Sequence, residues 1–153
     1  MRPSRPGRPG RPSRPSWPSW PTSPDAIAAV RTAGPLPALY ETLALSYRWP
    51  EIDLRLLRLL PNEPAGDLQP LAGAMFADPV LSHALLPARY VRFALAADNY
   101  DAICFDLNHL AGGDCPIVRF EHESILRHDS VGKHRTLFRS FRELVLAVIQ
   151  AAD

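Results

Sequence analysis

The chain has 153 residues, 46% hydrophobic and 22% charged, the proportions of one small globular domain built on a single core. Its formal charge of +1 hides a division: Arg2, Arg5, Arg8, Arg11 and Arg14 precede any acid, and the remainder holds twelve basic against sixteen acidic residues, about −4, so the body is a poor general binder of nucleic acid and suits a cationic partner better. Cys104 and Cys115 make no disulfide framework, no stretch reaches the roughly 18 apolar residues of a membrane span, and no apolar run backs the N-terminal arginines as a secretory signal requires, which together predict a cytoplasmic protein with reduced thiols and no membrane partner.

Residues 1–24 read MRP-SRP-GRP-GRP-SRP-SWP-SWP-TSP, with proline at every third position from Pro3 to Pro24. A polyproline II helix repeats every three residues, so this period sets the arginines, then Trp17 and Trp20, along one edge. Collagen would need a glycine in each triplet, and only Gly7 and Gly10 comply. The segment cannot bury a core and reads as a disordered arm ahead of a single domain over 25–153. Its plain readings are a solvated tail or a translated tandem repeat. Its functional readings are contacts to phosphates and bases, or a Pro-rich ligand for an aromatic groove.

Pro24-Asp25 opens a short helix that Gly34-Pro35 closes. "LPALYETLALSYRW" (36–49) follows with helical spacing, placing Leu36, Leu39, Tyr40, Leu43 and Tyr47 on one face. "DLRLLRLLPNEP" fits a strand or a helical turn, and periodicity does not choose. Pro61, Pro64 and Gly66 enforce a loop, Asp67 caps a short helix through Met75, and Asp78-Pro79 starts another that ends by Pro87. "RYVRFALA" alternates imperfectly around β-forming residues. "YDAICFDL" sets Tyr100, Ala102, Cys104 and Asp106 against Ile103, Phe105 and Leu107. With the turn-rich "NHLAGGD" and the strand "CPIVRFEH" it forms a β-hairpin, and "ESILRH" reads as a further short strand. "SFRELVLAVIQAA" is a helix opened by a capping box, Ser140 with Glu143, and carries an apolar stripe of Phe141, Leu144, Val145 and Val148. The order predicts an α+β fold: an antiparallel sheet flanked by short helices.

The hairpin and the last helix carry a family likeness. "YDAICFDLN", "CPIVRFEHESIL" and "SFRELV" together resemble the SUKH superfamily, the Smi/Knr-like domains of bacterial immunity proteins and fungal regulators. The matching features are the aromatic-led strand from Tyr100 through Phe105 to its closing Asp106, the His122-Glu123 pair and the Ser140-Phe141 helix start. The likeness covers roughly residues 88–150. It implies a small SUKH-like binding domain, with no catalysis and no cofactor. It also implies a protein partner such as a toxin or nuclease, because bacterial members look like antidotes. The chain departs from the pattern in lacking an Asn-Gly-Gly signal after the first helix. It departs again in "RHDSVGKHRTLFR", where a hydrophobic strand is expected and only Val131, Leu137 and Phe138 are available to bury.

The segment 100–126 collects the residues a metal or nucleophile would use. No spacing among His109, His122, His128, Cys104 and Cys115 matches a zinc site, and no nucleophile elbow or phosphate loop is present, "AGGD" being a turn between strands. Cys104 reads as a small buried hydrophobe, Cys115 as a turn residue, His122 as a structural hydrogen-bonder and Trp49 as a core plug. The carboxylates remain. Asp98, Asp101, Asp106, Asp114, Glu121 and Glu123 crowd the hairpin and its approaches, the candidate binding surface being these without Asp114, and Asp101, Glu121 and Glu123 share one end of the sheet if the strands pair antiparallel. They form a solvated face or an acidic patch that docks a basic partner. The reading carried forward is an immunity-like domain that occludes its partner sterically and electrostatically. The alternative is a regulatory scaffold whose arm binds a groove or nucleic acid.

Overall fold

A computed structural model describes residues 27–152 with the exception of 29, 32–33 and 63–73. The N-terminal arm and the cap expected of Asp67 lie outside the described residues. Six strands form one antiparallel sheet in simple chain order, β1 (Ile52–Asp53), β2 (Leu57–Leu59), β3 (Tyr90–Ala96), β4 (Ala102–Asp106), β5 (Ile117–Phe120) and β6 (His134–Phe138). Helices α1 (Ala38–Ser46) and α4 (Phe141–Ala152) cover one face, and α2 (Pro79–Leu85) and α3 (His122–His128) cover the other. This is the α+β architecture that the order of elements predicts.

Two faces need two cores, and β4 shows how one strand serves both. Ile103, Phe105 and Leu107 point into the larger cluster while Ala102 and Cys104 point into the smaller, and every residue of β4 is buried. The larger cluster centres on Tyr40, whose ring meets Trp49, Phe93, Phe105 and Phe141 edge-on, with Phe93 and Phe105 stacked at 4.0 Å. Edge-on and offset contacts of this kind add to area burial because ring edges and faces carry opposite partial charge. The imperfect alternation of β3 has a cause in register. Arg92 pairs with Cys104 and Ala94 with Ile103, so Phe93 is an extra, bulged residue, and Phe93 and Ala94 are both buried.

Local chemistry decides several element boundaries. Asp78 accepts hydrogen bonds from Val80 N–H (3.0 Å) and Leu81 N–H (3.1 Å), with Pro79 opening the helix, as its position predicts. "DLRLLRLL" resolves as the β1–β2 hairpin: Arg55 takes a left-handed conformation with φ 65° and donates its N–H to Asp53 Oδ1 at 2.8 Å. Helix α1 is shorter than the spacing predicts. It ends at Ser46, and its buried residues are Tyr40 and Ala44, while Leu39 and Tyr47 are exposed. Buried Asn62 explains the early end, since its side-chain amide donates to Tyr47 O at 2.8 Å and its carbonyl accepts from Trp49 N–H at 2.7 Å. Trp49 is buried and donates its indole N–H to Leu60 O at 2.9 Å, the plug expected of it.

The segment "ESILRH" corrects the expectation of a strand: it is helix α3. Asp101 Oδ1 accepts His122 N–H at 3.0 Å, Glu123 pairs with Arg127 one turn on at 3.0 Å, and Ile125 drops into the smaller core. One buried residue in a turn rich in good helix formers suits a short helix, whereas a strand would have set Glu123 and Arg127 on the same face as Ile125. The polar segment behind it does form a strand, β6, paired to β5 along the sheet's edge, where a polar strand is affordable because only Leu137 and Phe138 need packing.

Candidate functional site

At the end of the sheet where β4 begins, β5 ends and β6 begins, the chain leaves a groove of about 970 Å³. Antiparallel pairing of β4, β5 and β6 brings the 98–101 loop, residues 119–123 and residues 133–135 to this one place. Of the five acids expected to form a patch, Asp98, Asp101, Glu121 and Glu123 line the groove. Asp106 does not. It sits at the far end of β4, 2% exposed, accepting from Asn108 N–H at 3.1 Å and meeting His109 Nδ1 at 2.7 Å, so it caps the 3-10 turn at Leu107–His109. The five-residue run of β4 separates Asp101 from Asp106, about 17 Å of extended chain.

The groove acids differ in what else they do. Asp101 is nearly buried and holds three elements together, receiving Arg119 Nε at 2.8 Å, Arg119 Nη2 at 2.8 Å and the His122 N–H. Burial pushes its pKa up, but the His122 N–H, the Arg119 and Asn99 hydrogen bonds and the Arg119 charge together outweigh it and hold the carboxyl below its ordinary value. Asp98 touches the same guanidinium at 3.3 Å from a position 72% exposed. Glu123 is engaged on the surface by Arg127, and exposed Glu121 has no cationic partner among the described residues. One long β2 side chain positions the loop: Arg58 Nη2 donates to Asn99 O at 2.9 Å, and its guanidinium lies 5.4 Å from the centre of the Tyr100 ring.

Tyr100 heads the aromatic-led stretch, but it lies before β4 begins and is 67% exposed at the groove. Its former companions are structural. Phe105 is in the core, and Phe141 starts α4. Ser140 Oγ accepts Glu143 N–H at 3.0 Å, while Glu143 reaches back to Arg139 N–H at 2.6 Å, one residue beyond the usual box partner. His122 opens α3 at the groove with its ring 6.5 Å from that of Tyr100.

The groove also holds cations that the acid-centred reading passed over: Arg119, Lys133 and Arg135. Arg119 was visible as a lone charge inside the apolar run "PIVRF", because a charge in a packed strand must find a partner nearby. Lys133 and Arg135 carried no such signal, since nothing in a polar stretch says which cations face an opening.

The "AGGD" turn is a clamp. Asp114 accepts Phe141 N–H at 2.8 Å, Arg142 N–H at 3.2 Å and Cys115 N–H at 2.7 Å, and Gly113 O accepts Ala38 N–H at 2.8 Å. The turn thereby anchors the first turns of both α1 and α4. Gly112 and Gly113 take φ of 60° and 76°, which glycine adopts without strain. Both thiols are free and buried; burial raises the Cys104 pKa and, with Asp114 and Asp106 nearby, pushes Cys115 up to about 12. Among the described residues no three His, Cys, Asp or Glu side chains gather as a metal site, and no helix is long and apolar enough to cross a membrane. No family model, curated protein or solved structure matches the chain.

Proposed function

We propose that this chain is a non-enzymatic protein-binding domain of SUKH-like, immunity type, which neutralises a toxin or nuclease by occluding it. The observation that carries the reading is the groove itself, where Asp98, Glu121 and Glu123 present exposed carboxylates beside an exposed Tyr100. Exposed aromatics flanked by charge are what protein interfaces use as anchors. Asp98, Glu121 and Glu123 steer and cover a basic surface on the partner, while Asp101 holds the wall in shape. The mechanism is steric and electrostatic, with no turnover and no cofactor. The cytoplasm, where both thiols stay reduced, is the proposed compartment.

The test is capture of a partner from the native host by the full chain, by a chain starting at Pro24, and by the full chain carrying Glu121→Lys and Glu123→Lys. The expected outcome is that the first two capture the same secreted toxin or nuclease, and that the double variant captures it more weakly and with less salt dependence. Capture lost only with residues 1–24 would transfer the function to the arm. Equal affinity of the double variant would remove this wall from the interface.

A further inference from the structure

The opposite wall of the groove has a different character. Lys133 and Arg135 line it, with no acid between Lys133 and the end of β6, and neither side chain meets a carboxylate among the described residues. Arg135 stands directly across the strand pair from Arg119, whose guanidinium is already held by Asp98 and Asp101. Like charges in directly opposed positions repel, so Arg135 is left with a cation as its neighbour and no anion of its own.

These cations decorate an open edge. β6 is the last strand of the sheet, and among the described residues nothing pairs its outer side. Phe138 pairs with Ile117 and Thr136 with Val118, so Leu137 is bulged and the regular stretch is 134–136. The His134 ring lies 5.3 Å from Phe120 and 5.7 Å from Tyr90, which packs the strand's start beside the smaller core.

We infer that the edge of β6 receives an extended, acidic segment of a polypeptide partner as an added strand, its carboxylates seated on Lys133 and Arg135. An edge of this kind recognises backbone N–H and C=O groups, which selects a polypeptide in extended form. The charges then select its composition. A second copy of this chain would bring Lys133 and Arg135 against the same strip, and cations on an edge oppose such self-pairing. A nucleic acid would carry its continuous phosphate charge past Asp98, Glu121 and Glu123 on the facing wall, whereas a peptide can place acids only where β6 asks for them. The inference rests on the polypeptide-binding reading of the groove but not on its acidic wall, so the two fail separately.

The probe is a short peptide alternating glutamate with valine, titrated into the isotope-labelled full chain and followed by backbone amide shifts. A lysine–valine peptide and an oligothymidine strand serve as comparisons. The acidic peptide moves the amides of 134–136, a readout separate from the arginines of the N-terminus, and the basic peptide does not. The exposed double variant Lys133→Glu, Arg135→Glu keeps the amide pattern of the core and binds the acidic peptide about tenfold or more weakly. Glu121→Lys with Glu123→Lys keeps that binding even where it loses the host partner. Unmoved β6 amides, equal binding of both peptides, or stronger perturbation of β6 by oligothymidine would each overturn the inference. So would self-association of the wild type that the Lys133/Arg135 variant abolishes, because the edge would then belong to a second copy.

Discussion

Tyr40 sits at the centre of the larger core with its hydroxyl buried and without a hydrogen-bond partner among the described residues. A buried donor in that condition forfeits its hydration without compensation, while the ring supplies packing on four sides. Burial also raises the Tyr40 pKa, keeping the phenol neutral. Tyr40→Phe is therefore expected to leave stability unchanged or raise it by about 1 kcal/mol, and Tyr40→Ala to cost about 3–5 kcal/mol, both read from denaturant midpoints. A clear loss in Tyr40→Phe would show that the hydroxyl has a partner after all. At this scale the sequence was half legible. Its spacing placed Tyr40 inward, but no pattern distinguishes a tyrosine that needs its oxygen from one that tolerates it.

Helix ends are where single carboxylates matter most. α4 has its own Ser140–Glu143 cap, legible from three-residue spacing, yet its first N–H groups at Phe141 and Arg142 go to Asp114, 27 and 28 residues earlier. Asp114→Ala is expected to cost about 1–2 kcal/mol in a denaturant titration, because it removes a charged acceptor and loosens the turn that also receives Ala38 N–H. A loss below a few tenths would mean Ser140 alone suffices.

Helix α3 depends on Asp101 in the same way, with a pH signature. Because the folded carboxyl titrates below its ordinary value, its stabilisation is complete above the unfolded value near ~4 and disappears as pH falls through the folded one. Asp101→Asn should be less stable than wild type at neutral pH, with the gap closing on acidification. A gap of the same size at pH ~7 and ~3 would sink that assignment. Local propensity suits α3 but does not show where it starts, since the acceptor of the His122 N–H lies across a hairpin.

The two cores share β3, β4 and β5, so neither can open while the other keeps its register. Leu85→Ala in the smaller core and Leu144→Ala in the larger are each expected to lower one common unfolding transition, by about 2–5 kcal/mol. Transitions that split between far-UV and near-UV dichroism would instead make the α2–α3 layer a separate unit. The same arrangement divides the surface. With helices on both faces, the open features among the described residues include the outer edge of β6 and the groove at one end, where an acidic wall from the β3–β4 loop and α3 faces a basic one from β6.

The sequence by itself determined the α+β class, the central hairpin and its two-faced alternation, the Asp78 and Ser140 caps, and, given antiparallel pairing of that hairpin, the sharing of one end by Asp101, Glu121 and Glu123. All of these follow from period, spacing and turn chemistry within a few residues. Only the tertiary structure decided that Asp106 belongs to the opposite end, that Asp114 caps a distant helix, that "ESILRH" coils and does not extend, and that Arg119, Lys133 and Arg135 share the groove. Each depends on which partner a polar group meets across the sheet, and strand pairing sets that between residues far apart in the chain.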